Sequence, residues 1–120
     1  MRIPDAPKTS QGYYEARPGD VATRAASLVV IDVRETSELT EELGHIHGVR
    51  HVPMQKLVEE GLPDVALDAP VALVCRSGRR SATCAASLVA RGYREVYNLV
   101  GGMIRWNAEE HPIARTPTWR

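Results

Sequence analysis

Apolar residues in this chain fall into short runs separated by longer polar stretches with helical spacing. Leu28 to Val33 is apolar except for Asp32, and Val71 to Val74 is wholly apolar. Continuous runs of this kind suit parallel strands covered on both faces. Tyr13 to Ala16, Val49 to Pro53 and Glu95 to Leu99 read as three further short strands. Between them lie helical signals. Pro18-Gly19-Asp20 opens a short helix to about Ala26. Thr36 to Leu43 places Leu39 and Leu43 inward at i,i+4 and Glu38, Glu41 and Glu42 outward as a solvated acidic face, ending at Gly44. Gln55 to Glu60 gives one or two turns closed by Gly61. The helix after Val74 carries Ala82, Ala85, Ala86 and Val89 at i, i+3, i+4 and i+7, small enough for close approach to a sheet, with Gly92 as its C′ residue. Gly101-Gly102 turns into a last helix from Met103 to about Glu110, stopped by Pro112.

Strands alternating with helices predict an α/β domain, a central parallel sheet with helices on both faces. Residues 1–12 read as a frayed lead-in, 13–113 as the domain and 114–120 as a polar tail. In such folds sites form at the carboxyl ends of strands.

Composition narrows the function classes. The 120 residues hold 15 basic and 15 acidic side chains, for zero formal net charge. No global basic field recruits nucleic acid. No apolar run approaches the roughly 20 residues of a membrane span, and the first twelve residues lack the apolar core of a secretory signal. Two cysteines, nine positions apart, are too few for a disulfide framework. A strand end and a helix interior also place them too far apart to bridge. These features lead us to expect a soluble, cytoplasmic protein.

The chemistry concentrates at Cys75-Arg76-Ser77-Gly78-Arg79-Arg80-Ser81, between the strand at 71–74 and the alanine-rich helix. Strand, tight loop and helix in that order make a nest of backbone N–H groups at the positive end of a helix dipole. A cysteine there is expected to react as a preformed thiolate. Cys75 is therefore the candidate nucleophile. Arg76, Ser77, Gly78, Arg79, Arg80 and Ser81 are the candidate cradle for an anionic substrate. Cys84, in mid-helix beside the apolar stripe, reads as a packing residue.

Three blocks make the chain resemble the single-domain rhodaneses, a sulfurtransferase family. They are VVIDVRE at 29–35 with GHIHGVRHVP at 44–53, CRSGRRS at 75–81, and GYREVYNLVGGMIRW at 92–106. The resemblance runs from Tyr13 to Ile113. It implies a three-layer α/β/α rhodanese-like fold with a five-stranded parallel sheet, and a persulfide on Cys75. By the same resemblance the loop N–H groups cradle the sulfur and the arginines bind a small anionic donor. Thiosulfate, a polysulfide or a small persulfide would donate, and a thiol or another protein, reaching an exposed Cys75, would accept. Neither a metal nor an organic cofactor is implied. One departure is His47, where the family often has Pro.

Two other classes share this architecture. Cysteine phosphatases and arsenate reductases use a similar cradle, but the phosphatases place five residues between Cys and Arg where Cys75 and Arg80 have four. A non-catalytic binding module would have no need of the nucleophile. His45, His47 and His51 form H-x-H-x3-H, which is not a recognised zinc spacing, and His45 is expected to fix the turn into the third strand. Asp32, inside an apolar strand, needs a partner such as Arg34. Trp106 reads as core.

Overall fold

In the computed structural model, which describes residues 2–120, five strands form one all-parallel sheet. They are β1 (Tyr14–Ala16), β2 (Val29–Asp32), β3 (Arg50–His51), β4 (Val71–Val74) and β5 (Val96–Leu99), in the order β1-β5-β4-β2-β3. The helices are α1 (Pro18–Arg24), α2 (Met54–Glu60), α3 (Arg79–Ala90) and α4 (Gly102–Ala108). Among the described residues, no helix is long and apolar enough to cross a membrane.

Alternation along the strands divides the core in two. Ile31, Val71, Leu73 and Val96 point to one face, where they meet Leu57 of α2 and Cys84, Ala85 and Leu88 of α3. Val30, Ala72, Val74, Tyr97 and Leu99 point to the other, against Val21 of α1 and Met103 and Trp106 of α4. The sheet is thus covered on both faces, as its apolar runs predict. β4 lies at the centre and is buried along its whole length, so Cys75, one residue beyond it, emerges between two strands that fix its position.

Several local expectations change. Thr36 to Leu43 does not form an α-helix; a 3-10 turn covers Thr36–Thr40. The carbonyls an α-helix would use are taken elsewhere. His45 Nδ1 donates to Leu39 O at 2.8 Å, and Arg34 Nη1 reaches Glu38 O at 3.5 Å. The buried stripe of α3 is Ser81, Cys84, Ala85 and Leu88, with Ala82, Ala86 and Val89 only partly covered. The stripe expected from small residues lies beside the true one because Ser81 and Cys84 count as core here.

Described residues of both terminal segments contact the sheet. Ile3 is buried and its N–H donates to Tyr97 Oη at 2.8 Å, while Glu15 N–H donates to Pro7 O at 2.9 Å. At the opposite edge, Arg120 N–H donates to Val49 O at 2.9 Å and His51 N–H to Arg120 O at 2.8 Å, with Trp119 packed edge-on against the His45 ring. An edge strand exposes unpaired backbone groups, and each tail satisfies some of them. That is why segments lacking any periodic pattern are nonetheless held.

Candidate active site

Cys75 sits where β4 ends and the chain bends through Arg76-Ser77-Gly78 into α3. Gly78 is the N-cap of α3 and takes a left-handed conformation, φ 98°. That backbone turn aims the Gly78 N–H at the thiol, with N to Sγ at 3.0 Å. The second partner of the sulfur is Ser81 Oγ at 3.2 Å, one turn into the helix. The thiol is not exposed as expected, since Cys75 is only 1% accessible. Its side chain points under the loop towards α3, and the loop itself forms the roof.

The loop is locked from the far side by the turn into α4. Met103 N–H donates to Cys75 O at 2.9 Å and Ile104 N–H to Arg76 O at 3.1 Å. The α4 backbone thereby satisfies two carbonyls that the bend removes from the sheet ladder. This fit requires glycine at 102. Its φ is 55°, and a Cβ there would lie 2.5 Å from Cys75 O and Arg76 O. The Gly101-Gly102 pair is more than a turn; it is the surface on which the reactive loop rests.

The three loop arginines are not equivalent. Arg76 and Arg79 are exposed. Arg80 forms a two-pronged ion pair with Glu38, Nη1 to Oε2 at 2.8 Å and Nη2 to Oε1 at 2.9 Å. Glu38 also accepts the Glu35 N–H at 2.8 Å, closing a capping box on the 3-10 turn. The Arg80 guanidinium holds the Glu38 carboxyl well below the usual range, at about 2. Glu38 is therefore not part of a solvated face; it ties the segment after β2 to the active-site loop. Beside it a cleft of about 190 Å³ is lined by Arg34, Arg76, Leu43 and the carboxylates of Glu38, Glu41 and Glu42.

Asp32 finds the partner it needs. Arg34 Nη2 donates to Asp32 Oδ2 at 2.8 Å and to Gly44 O at 2.7 Å, with both side chains buried. The pair braces the loop that carries Glu38. His45 is buried between Leu39 O, at 2.8 Å from Nδ1, and Thr118 Oγ1, at 2.7 Å from Nε2. Because a carbonyl only accepts, Nδ1 carries a proton and donates it to Leu39. His47 is exposed, and His51 Nε2 donates to Arg34 O at 2.7 Å. Both His45 and His51 are thus occupied with structure. Cys84 is fully buried, and desolvation, reinforced by the nearby Cys75, pushes its thiol up to about 12.

Asn98, on β5, was invisible as a site residue in the sequence. Its Nδ2 donates to Gly78 O at 3.1 Å and to Glu15 Oε1 at 3.2 Å, and its Oδ1 accepts from Ser81 Oγ. A polar residue within an otherwise buried strand is the signal that would have found it. The same reasoning drew attention to Asp32.

The Rhodanese-like domain family matches residues 17–109. Among similar proteins, the thiosulfate sulfurtransferase GlpE of Ectopseudomonas mendocina (strain ymp) is 38% identical over 85 residues, covering 71% of this chain and 75% of that protein. YqhL of Bacillus subtilis (strain 168) is 39% identical over 80 residues, covering 67% of this chain; the match spans 61% of YqhL, under two thirds of its length. Among solved structures, a rhodanese-related protein from Thermoplasma volcanium superposes with a TM-score of 0.75 at 27% identity, covering 85% of this chain and 98% of the other. A five-stranded parallel sheet, a cysteine loop resting on a diglycine turn and a family match over most of the chain agree, and the protein belongs to the rhodanese-like domain family.

Proposed function

We propose that this protein is a sulfurtransferase that carries sulfane sulfur as a Cys75 persulfide. The observation that carries the reading is the pairing of Cys75 Sγ with the Gly78 N–H at 3.0 Å, at the mouth of α3. A donor of this kind stabilises negative charge on sulfur without reorganising. The likeness to proteins named thiosulfate sulfurtransferase supports it.

In the proposed reaction the Cys75 thiolate attacks the outer sulfur of thiosulfate, a polysulfide or a small persulfide. The donor's S–S bond breaks and its electron pair leaves with the anionic remainder, sulfite in the case of thiosulfate. A new S–S bond now joins Cys75 to the transferred sulfur. A thiophilic acceptor then attacks that outer sulfur, and Cys75 departs as the thiolate. This is covalent catalysis in two half-reactions. The positive charges of Arg76 and Arg79, at the mouth of the loop, attract the anionic donor. The burial of Cys75 favours slender donors whose terminal sulfur reaches the floor of the loop. No metal or organic cofactor takes part in the scheme. Two unpaired cysteines fit a reducing, cytoplasmic setting.

Intact-mass spectrometry after incubation with thiosulfate, and separately with polysulfide, tests the proposal. The wild-type protein and Cys84→Ala gain one sulfur atom, which a reductant removes, and both transfer it to cyanide. Cys75→Ser folds, gains nothing and turns over nothing. Turnover in Cys75→Ser overturns the assignment, as would efficient aryl phosphate hydrolysis without persulfide by the wild type.

A further inference from the structure

We infer that Glu38 is a specificity-determining residue: its carboxylate fills the oxyanion seat of Arg80 beside the Cys75 loop and so turns the site towards sulfane donors that carry no oxyanion group. The choice of substrate class rests on the sulfur-transfer reading.

A guanidinium presents its outer N–H groups as a fork. That fork fits two oxygens of a carboxylate as it fits two oxygens of a sulfate or phosphate. In Arg80 it is already filled. Nη1 donates to Glu38 Oε2 at 2.8 Å and Nη2 to Glu38 Oε1 at 2.9 Å. Glu38 thus holds, from within the chain, the position that an anionic ligand would take. The place matters because Arg80 immediately precedes Ser81, whose Oγ lies 3.2 Å from Cys75 Sγ. Arg80 is also within electrostatic reach of Cys75. The bonds to Glu38 chiefly raise the Arg80 pKa, and Cys75 is among the smaller contributors.

The carboxylate is anchored on its own side. Glu38 Oε2 also accepts the Glu35 N–H at 2.8 Å, within the capping box of the 3-10 turn. His45 Nδ1 donates to Leu39 O at 2.8 Å, which holds the turn one residue further on. The Glu38 carboxyl, held at about 2 chiefly by its hydrogen bonds to Arg80, is ionised at any ordinary pH. An oxyanion that takes the Arg80 fork must first expel this carboxylate and undo the cap.

The surroundings do not offer a substitute fork. Glu41 and Glu42 line the cleft beside the pair, and Arg34, a cation of that cleft, is already paired with Asp32 at 2.8 Å. Arg76 and Arg79 are exposed charges. They attract anions of any shape, whereas the fork that would recognise a tetrahedral oxyanion is taken. Thiosulfate carries such a group next to its outer sulfur, and sulfite is the oxyanion it leaves behind. A polysulfide presents sulfur alone at its reacting end. Glu38 therefore deprives thiosulfate of a partner that an oxygen-free donor does not use.

Sulfate binding and donor kinetics test this together. Inorganic sulfate is titrated into isotope-labelled protein, and the backbone amides of residues 76–81 are followed by two-dimensional NMR. Glu38→Gln leaves Arg80 one neutral acceptor in place of two charged ones, so sulfate binds about tenfold more tightly than to wild type. Glu41→Gln removes the same charge from the same cleft and leaves the pair intact, so its gain is about twofold or less. In the Glu38→Gln background, Arg80→Lys keeps a positive charge without the fork and loses most of the gain. In steady-state assays Glu38→Gln lowers KM for thiosulfate by a similar factor and KM for polysulfide by less, so the preference moves towards thiosulfate. Equal sulfate affinity in wild type and Glu38→Gln overturns the inference. So does an equal gain in Glu41→Gln, a gain that Arg80→Lys leaves intact, or KM values for the two donors that shift alike. The wild-type protein gives a check without substitution: its Arg80 side-chain N–H resonances, bonded to Glu38, stay in place as sulfate is added. Saturable movement of those resonances overturns the inference. Sulfate binding is read without turnover, so a tenfold gain in a protein that transfers no sulfur would sink the sulfur-transfer reading and leave Glu38 in the anion seat.

Discussion

Cys75 and Cys84 lie nine residues apart and are equally hidden from solvent, at 1% and 0% accessibility. Their surroundings could hardly differ more. Cys84 lies among Ala85, Leu88 and the strands beneath α3, where burial makes its thiolate costly. Cys75 lies in the same buried cluster, one residue beyond β4, with a backbone N–H and a hydroxyl on its sulfur. Burial alone does not make a cysteine inert. What decides is whether a polar group stands ready to receive the charge, since an unpartnered charge in a low-dielectric setting is the expensive case. The difference arises from the backbone: the loop turns its N–H inward at Gly78, whereas mid-helix N–H groups at Cys84 are committed along the helix axis.

The harshest way to break this contrast is to disturb the floor of the Cys75 loop. Gly102→Ala puts a methyl group 2.5 Å from the carbonyls of Cys75 and Arg76, on a backbone with φ 55°. Strain and overpacking together are expected to cost about 3 kcal/mol. Thermal denaturation should show a fall in Tm of roughly 10 °C or more, with persulfide formation reduced even where the protein is folded. Gly48→Ala is the matched control. Its φ is 77° but no atom lies within 4 Å of the added carbon. It should lose only the conformational part, on the order of 1 kcal/mol, and keep its sulfur chemistry. Equal effects at the two glycines would show that the diglycine does not support the loop.

Much of this was legible in the chain, for reasons that can be named. The strands were readable because a sheet covered on both faces demands apolar runs, and Val71–Val74 matches its run residue for residue. Cys75 was readable because a thiol at a strand end, followed by glycine and arginine, has few other uses. The connections that finish the site were not. Glu38 reads as one of three surface carboxylates until the 3-10 turn directs it at Arg80. Asn98 and Ser81 are seventeen residues apart and meet only because β5 lies beside β4. The held termini escaped for the same reason: Ile3 and Trp119 are single apolar residues in segments with no period to detect. Local patterns report elements, whereas side chains that join elements leave no periodic trace.

A gentler way to sharpen the contrast is to separate attraction of the donor from maintenance of the loop. The sequence groups Arg76, Arg79 and Arg80 as one cationic set, and the fold divides them. Arg76→Ala and Arg79→Ala remove exposed charges. Each should raise KM for thiosulfate about tenfold or less, with Tm near wild type and kcat little changed, as expected for contacts made equally in ground and transition states. Arg80→Ala instead strands Glu38 and should lower Tm. The measurement is steady-state kinetics beside thermal melts for all three. A KM effect confined to Arg80, with Arg76 and Arg79 silent, would reverse the division.

The smallest expected effect concerns the Glu38–Arg80 pair and is best seen against pH. Glu38 has its folded-state acidity strengthened, to about 2, chiefly by its hydrogen bonds to Arg80. A carboxyl depressed in this way stabilises the fold above its unfolded value, near 4.5, and that contribution fades as pH falls towards 2. Glu38→Gln removes the charge while keeping one acceptor for Arg80. The pair is partly open to solvent, with side chains 21% and 35% accessible, so screening limits its worth to about 1 kcal/mol. Urea denaturation should therefore show the variant less stable than wild type by about that amount at pH 7. The gap should begin to close below pH 4.5 and be nearly gone at about pH 2. Iodoacetamide alkylation of Cys84 should stay negligible throughout. The Arg80 guanidinium, no longer neutralised by Glu38, adds its charge at the Cys75 mouth, so alkylation of Cys75 at neutral pH should change more than that of Cys84. A stability gap that does not vary between pH 7 and pH 2 would mean that shape, and not charge, links Glu38 to the loop.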